Sequence, residues 1–171
     1  DWMTRAYPGL KIVLEHITTK DGADFVRQAG NNIGATVTPH HLLITRNDIL
    51  AGGIRPHLYC LPIAKREKHR QALREAVASG DEAFFLGTDS APPPINAKET
   101  DCGCAGIFNV ANAIEVYANV FDEMDALEHF EAFASLNGPN FYGLEANSSV
   151  LTIVRSPQSV MGDIYIPGGN D

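Results

Sequence analysis

The segment AFFLGTDSAPPP (residues 83–94) decides the fold class, because a short apolar run is followed directly by an acid and three prolines. Residues 83–87 carry almost no polar surface, which is typical of a buried strand. Asp89 comes where that strand should end. The three prolines restrict φ and donate no backbone hydrogen bonds. The segment therefore predicts a strand that leads into a stiff loop carrying a carboxylate.

Two further strands are predicted upstream of this segment, and helices are predicted between and after them. Leu10 to Glu15 reads as a buried strand that ends at His16, and Ile33 to Thr38 reads as a second strand, broken by Pro39. Residues 42–62 and about fifteen residues after the third strand are predicted connections. Helices are predicted over Thr18–Ala29, Lys65–Ser79, Asn109–Val120, and from Asp125, with Glu128 as a capping-box partner, to just before Gly138–Pro139.

Strands that alternate with helices are typical of parallel α/β structure with right-handed crossovers. Three strands make a narrow sheet for 171 residues, which favours part of a larger sheet or barrel. A whole (β/α)8 barrel takes about 250 residues, so we expect residues 1–171 to form one partial domain. The chain begins with Asp1, which we interpret as a truncated or cleaved product, and Pro167–Gly169 is expected to be frayed.

Composition limits the partners and the compartment of the protein. The net charge is -8 and the pI is about 5.1, so no basic face is available to neutralise the phosphates of a nucleic acid. No apolar run approaches the roughly 18 residues of a membrane span. The cysteine count is 3, and an odd number suits a reducing compartment. We expect a cytoplasmic protein without nucleic-acid or membrane partners.

Two side chains are placed where parallel α/β proteins collect their catalytic groups, at the carboxyl ends of strands. They are His16 after the first predicted strand and Asp89 after the third. Imidazole and carboxylate are both zinc ligands, and a carboxylate also acts as a general base. A structural interpretation stays open at this point, with His16 as a hydrogen-bonded core histidine and Asp89 as a turn cap.

Other polar motifs are weaker candidates. Cys102 and Cys104 are separated by one residue, which is too close for the usual Cys-x-x-Cys metal knuckle. The side chains of His40 and His41 diverge if the backbone is extended, so we do not expect them to bind one metal together. His57 lies in a predicted loop, where an anion contact competes with simple solvation. No phosphate-binding glycine motif or nucleophile elbow is present.

Several longer strings carry a family resemblance. Their order and spacing, from about His16 to Asn147, resemble the carboxyl half of bacterial class II dihydroorotases, which belong to the amidohydrolase superfamily. The strings are LEHITTKDGADFV, TPHHL, RPHLYCLPI, FLGTDSAP, CGCAGIFN and FEAFASLNGPNFYGL.

The resemblance implies a fold, a reaction and a cofactor. The fold would be a (β/α)8 barrel, of which this chain supplies about strands six to eight with their following helices. The reaction would be the reversible cyclisation of N-carbamoyl-L-aspartate to L-dihydroorotate in pyrimidine biosynthesis. A complete site would hold two zinc ions bridged by a carboxylated lysine, and a zinc-bound hydroxide would be the nucleophile. The complete protein would be a homodimer.

The same resemblance implies roles for four residues. His16 would bind one metal ion. Asp89 would bind the other ion and act as the general base and acid of the reaction. Leu61 and Ala105 would hold the pyrimidine ring of the substrate through their backbone groups.

Two departures from the family pattern bear on the activity. The other metal ligands, including the lysine, are not in this chain, so the isolated chain is expected to be inactive. Pro93 stands where the family carries a histidine that contacts the substrate carboxylate. Two alternatives follow: an inactive homologue that acts as a binding or assembly partner, and a related amidohydrolase whose substrate lacks the carboxylate.

Overall fold

The computed structural model describes residues 2–157, 159 and 162–165, so the expected frayed segment at Pro167–Gly169 lies outside the described residues. Three short strands form the sheet: β1 (Ile12–Leu14), β2 (Ile33–Val37) and β3 (Phe84–Leu86). The α-helices are α1 (Trp2–Ala6), α2 (Lys20–Gln28), α3 (Pro39–Leu43), α4 (Arg46–Leu50), α5 (Glu67–Ala78), α6 (Ile95–Lys98), α7 (Ala113–Glu123) and α8 (Asn137–Tyr142).

The sheet is parallel throughout, with the strand order β1-β2-β3. Each strand is followed by helical structure before the next one begins, which confirms the predicted α/β alternation. All five residues of the central strand β2 are buried. The three residues of β1 are only half-buried, whereas β3, the other edge strand, packs against Ala132–Leu136 and α8 and has two buried residues. The expectation of a buried first strand was therefore wrong.

The core forms where α2, α5 and α7 cover the sheet. Ala72, Leu73, Ala76 and Val77 give α5 its buried face, as its helical spacing predicted. The Tyr117 hydroxyl on α7 donates a hydrogen bond of 2.7 Å to the carbonyl of Val37, at the carboxyl end of β2. Burial raises the pKa of Tyr117, so the phenol keeps the proton that this bond needs.

The region after β2 was predicted as a plain connection, and the structure shows two short helices there. Thr38 caps α3, since its side chain accepts a hydrogen bond from the backbone of His41, and Pro39 occupies the first helical turn. Proline is well suited to that position because its missing N–H has no partner there in any case. Pro39 therefore ends the strand as predicted, but it also begins a helix.

The carboxyl-terminal helices also differ from the prediction. Glu128 lies in a 3-10 turn (Leu127–His129), and Asp125 has a left-handed backbone with φ of 52°. A π-helical turn (Ala132–Leu136) leads into α8, which contains Gly138 and Pro139 instead of ending before them. The helix ends at Gly143, whose φ of 71° is left-handed.

None of the described helices has both the length and the apolar character that crossing a membrane requires.

Candidate metal-binding site at the carboxyl ends of the strands

The structure brings His16 and Asp89 together at one edge of the sheet. Each residue follows the end of its strand, and the distance from His16 Nε2 to Asp89 Oδ1 is 3.7 Å. Both side chains are partly exposed, at 23% and 34%, so a ligand can reach them. Both residues also have a left-handed backbone, with φ of 55° for His16 and 45° for Asp89. This conformation is strained for residues other than glycine and is concentrated at functional sites.

Thr36 on the central strand orients the imidazole of His16. Its hydroxyl donates to Glu15 Oε2 at 2.7 Å and accepts from the backbone N–H of His16, also at 2.7 Å. The third contact, from Thr36 Oγ1 to His16 Nδ1, is 3.1 Å. Since the hydroxyl proton is already used, Nδ1 must be the donor in this contact. In the neutral imidazole Nε2 is then the nitrogen with the free lone pair, and it faces Asp89.

Gly87 allows the approach of β3 to Thr36. A Cβ atom built on Gly87 would lie 2.5 Å from Thr36 Cβ and 2.8 Å from its Cγ2. Contacts this short do not occur between real side chains. The absence of a side chain at residue 87 thus lets the hydroxyl of Thr36 reach His16 while Asp89 lies two residues further along the chain.

Asn109 and Ser90 tie the loop after β3 to the segment beyond α6. Asn109 Nδ2 donates to the carbonyl of Thr88 at 2.8 Å, directly before Asp89. In return, Ser90 Oγ accepts from the backbone N–H groups of Asn109 and Val110 at 3.1 and 3.0 Å. Asp89 is therefore held from both sides, and neither holding residue was identified from the sequence.

Lys98 is buried and holds together the two loops that contain Leu61 and Ala105. Its ammonium donates to the carbonyls of Tyr59, Cys104 and Gly106 at 3.0, 2.7 and 2.9 Å. Desolvation lowers the pKa of Lys98, and the three carbonyls compensate for the lost water. Leu61 is 60% exposed, and the substrate roles of Leu61 and Ala105 stay predictions.

Pro93 is half-buried in the same loop cluster. A Cβ atom built on Gly106 would lie 3.1 Å from Pro93 Cγ and 2.8 Å from Ala91 Cβ. The proline ring therefore packs closely on the backbone next to Ala105, in the place where the family resemblance implies a histidine.

A second cluster of metal-binding side chains was missed, because His40 and His41 were assumed to be extended. Both lie in the first turn of α3, where their ring centroids are 4.6 Å apart. Together with Cys60 they form a buried group whose ligand atoms all lie within 4.8 Å of one another. Burial lowers the pKa of His40 to about 3 and that of His41 to about 4, so both rings are uncharged at neutral pH.

The remaining histidine and cysteine candidates have simpler surroundings. His57 Nε2 lies 3.0 Å from Glu99 Oε1 on the exposed surface. Cys102 and Cys104 belong to no group of metal-binding side chains within the part of the chain that the structure describes.

The donors at the strand ends fit a zinc ion in chemical type. Imidazole nitrogen and carboxylate oxygen are both common zinc ligands. The contact with Thr36 leaves His16 Nε2 available for coordination, and Thr36 fixes the ring through the other nitrogen, as neighbouring groups do in known metal sites.

Fold and site together define an α/β protein with a parallel sheet and candidate metal ligands at its strand ends. Residues 4–153 match the model of the Amidohydrolase family, and the chain belongs to that family.

Three similar proteins, one curated sequence and two solved structures, are named as dihydroorotases. The chain is 65% identical over 153 residues to a dihydroorotase of Cronobacter sakazakii, covering 90% of this chain and 44% of the relative. Its fold matches the crystal structure of dihydroorotase in complex with 5-fluoroorotic acid from Saccharomyces cerevisiae, with a TM-score of 0.79, 35% identity, and coverage of 84% of this chain and 41% of that one. A dihydroorotase structure from Campylobacter jejuni matches with a TM-score of 0.76 and 39% identity, at the same coverage. The chain spans about half the length of the curated relatives it matches.

Proposed function

We propose that the whole protein is a dihydroorotase, which interconverts N-carbamoyl-L-aspartate and L-dihydroorotate in pyrimidine biosynthesis. In this proposal the three strands of the chain are strands six to eight of a (β/α)8 barrel. The high identity to a protein named dihydroorotase supports the substrate class. In the whole protein, the other metal ligands would come from the region that corresponds to the part of the relatives outside this match.

The observation that carries the proposal is the pairing of His16 and Asp89. The two residues lie 73 positions apart in the sequence, yet their side chains are 3.7 Å apart, both on left-handed backbone at strand ends. Strained backbone is concentrated at functional sites. A binding site at the strand ends accounts for both.

Each of these side chains has a defined task in the proposal. His16 Nε2 would be a ligand of one zinc ion, and Asp89 would be a ligand of the other. Bound zinc lowers the pKa of a coordinated water and polarises a carbonyl oxygen. The Asp89 carboxylate would take up the proton of the hydroxide that attacks the ring carbonyl. It would then deliver this proton to the ring nitrogen that leaves. In the cyclisation direction the same carboxylate moves the proton the opposite way.

The loops held by Lys98 would form the wall of the substrate site. Leu61 and Ala105 flank the carbonyls to which Lys98 donates. Their own backbone groups would hold the pyrimidine ring by hydrogen bonds, and Lys98 would set the distance between the two loops. The protein is further proposed to be cytoplasmic and to form a homodimer.

Substitution of Asp89 in the whole protein tests the proposal. Asp89→Asn removes the proton acceptor while keeping the size of the side chain, so turnover should fall by at least about 100-fold in both directions. Asp125→Asn is the matched control, because Asp125 is also an aspartate with left-handed φ but lies beyond α7. Turnover that survives in the Asp89 variant would contradict the proposal.

Pro93 favours one alternative, an inactive homologue that acts as a binding or assembly partner. Proline offers no hydrogen-bond donor to a substrate carboxylate. Pro93→His should lower the KM for dihydroorotate if the wild-type protein is an enzyme with a weakened carboxylate contact. A whole protein that binds zinc but shows no turnover, with or without this substitution, would support the inactive homologue.

A further inference from the structure

The cluster of His40, His41 and Cys60 lies beside the proposed active site but has no part in the proposed reaction. The exposed fractions of these residues are 5%, 2% and 1%, so all three side chains are screened from water. His40 and His41 come from the first turn of α3, and Cys60 comes from the loop after the 3-10 turn at Pro56–Leu58. Two imidazoles and a thiol form a donor set typical of zinc.

One pair of donor atoms in the cluster already has the spacing of a tetrahedral site. The distance from His41 Nε2 to Cys60 Sγ is 3.7 Å. With Zn–N of about 2.05 Å and Zn–S of about 2.3 Å, tetrahedral ligands would be about 3.6 Å apart. The carbonyl oxygen of Pro62 lies 3.6 Å from Cys60 Sγ and 2.7 Å from His41 Nε2. It can therefore serve as the oxygen ligand once the nitrogen and oxygen separate slightly.

His40 provides a second, independent sign that a ligand is expected here. Its Nδ1 contacts Asn109 Nδ2 at 3.1 Å, whereas its Nε2 is buried and has no hydrogen-bond partner among the described residues. A buried polar atom without a partner costs about 1–3 kcal/mol. Coordination through this nitrogen would remove that cost. Coordination through Nε2 would place the imidazole proton on Nδ1, so the Asn109 amide would have to turn its Oδ1, which is equally unpartnered among the described residues, toward Nδ1 and give up its bond to the Thr88 carbonyl.

We propose that His40, His41 and Cys60, with the carbonyl of Pro62, bind one structural zinc ion that is separate from the His16–Asp89 pair. Cys60 binds as the thiolate, and its proton leaves to solvent when the ion binds. His41 changes only its tautomer: the proton moves from Nε2 to Nδ1, where Thr38 Oγ1, now at 2.7 Å, accepts it. In this role Thr38 orients the ring, as the hydrogen-bond partners of ligating histidines do in known zinc sites.

The proposed ion would join α3 to the loop that precedes Leu61. The described residues already connect these parts through the bond from His41 to the Pro62 carbonyl. A metal ion would replace this single bond by coordination from both segments and so fix the loop on which the substrate contact of Leu61 depends.

Cobalt binding to the whole protein tests this inference, because Co²⁺ occupies zinc sites and a thiolate ligand gives a charge-transfer band in the near ultraviolet. The His16–Asp89 pair contains no sulfur, so a binuclear site there cannot produce the band. We expect the band to saturate at about one cobalt per chain and to disappear when zinc is added.

Variants assign the band to its ligands. Cys60→Ser should abolish it, whereas Cys104→Ser and Asp89→Asn should keep it. If Cys60→Ser does not fold, as judged by circular dichroism, His40→Gln provides the second variant, with cobalt affinity lowered at least about 10-fold. The inference is overturned if wild-type protein shows no thiolate band, or if the band survives in Cys60→Ser. Dihydroorotase activity is not the readout, so failure here leaves the proposed function untouched.

Discussion

Replacement of Gly87 by alanine tests whether close packing against Thr36 shapes the site. The added Cβ would lie 2.5 Å from Thr36 Cβ, and ordinary contact begins at 3.4 Å, so the strands must separate locally by about 0.9 Å. Both atoms are fixed to the backbone, so no side-chain rotation relieves the clash. Overpacking of this kind costs about 1–3 kcal/mol of unfolding free energy.

The same displacement should weaken the proposed metal site. Thr36 Oγ1 lies 3.1 Å from His16 Nδ1, and a shift of this size would move the pair beyond hydrogen-bond range. Loss of a group that orients a metal ligand typically lowers metal affinity about 10- to 100-fold. Urea unfolding of the whole protein gives the stability change, and zinc competition with a chromogenic chelator gives the affinity.

Gly9→Ala is the matched control for this substitution. A Cβ atom at Gly9 would meet nothing within 4 Å, and its backbone is not left-handed. Both variants restrict the unfolded chain in the same way, so the difference between their unfolding free energies isolates the clash. Equal stability and equal zinc affinity for Gly87→Ala and Gly9→Ala would refute the argument.

Three further outcomes are expected. Thr36→Val should lower zinc affinity about 10- to 100-fold, whereas Thr36→Ser, which keeps the hydroxyl, should bind zinc as the wild-type protein does. Equal zinc affinities of the two variants would contradict the orienting role of Thr36. Lys98→Met leaves three carbonyls without their donor and should cost about 1–3 kcal/mol in urea unfolding, whereas Lys68→Met on the exposed face of α5 should be near neutral. Hydrogen bonds from Thr45 lower the pKa of Asp48, so the stability they give is present above about pH 4 and is lost as pH falls through the lowered pKa. A carboxyl titration by NMR should show this pKa rising in Thr45→Ala; an unchanged value would contradict the capping role.

The sequence predicted the alternation of strands and helices well, because apolar periodicity is a local property. The prediction failed where one residue type has two structural uses. Pro39 was interpreted only as a strand breaker, but it also begins α3. Pro139 was taken as the end of a helix, but it lies inside α8. Pro39 lies at the start of a helix, whereas Pro139 follows the π-helical turn inside a longer helical stretch, so the same residue type begins one helix and continues another.

The sequence by itself determined that His16 and Asp89 follow strands, and parallel strands place their carboxyl ends at one edge of a sheet. Only the tertiary structure decided which neighbours these residues meet. The hydroxyl of Thr36 reaches His16 from 20 positions away, and Asn109 reaches His40 from 69 positions away. The grouping of His40 and His41 with Cys60 likewise depends on how α3 packs against a distant loop. Such contacts are set by the packing of separate elements, whereas periodicity and propensity report only on residues within a few positions of each other.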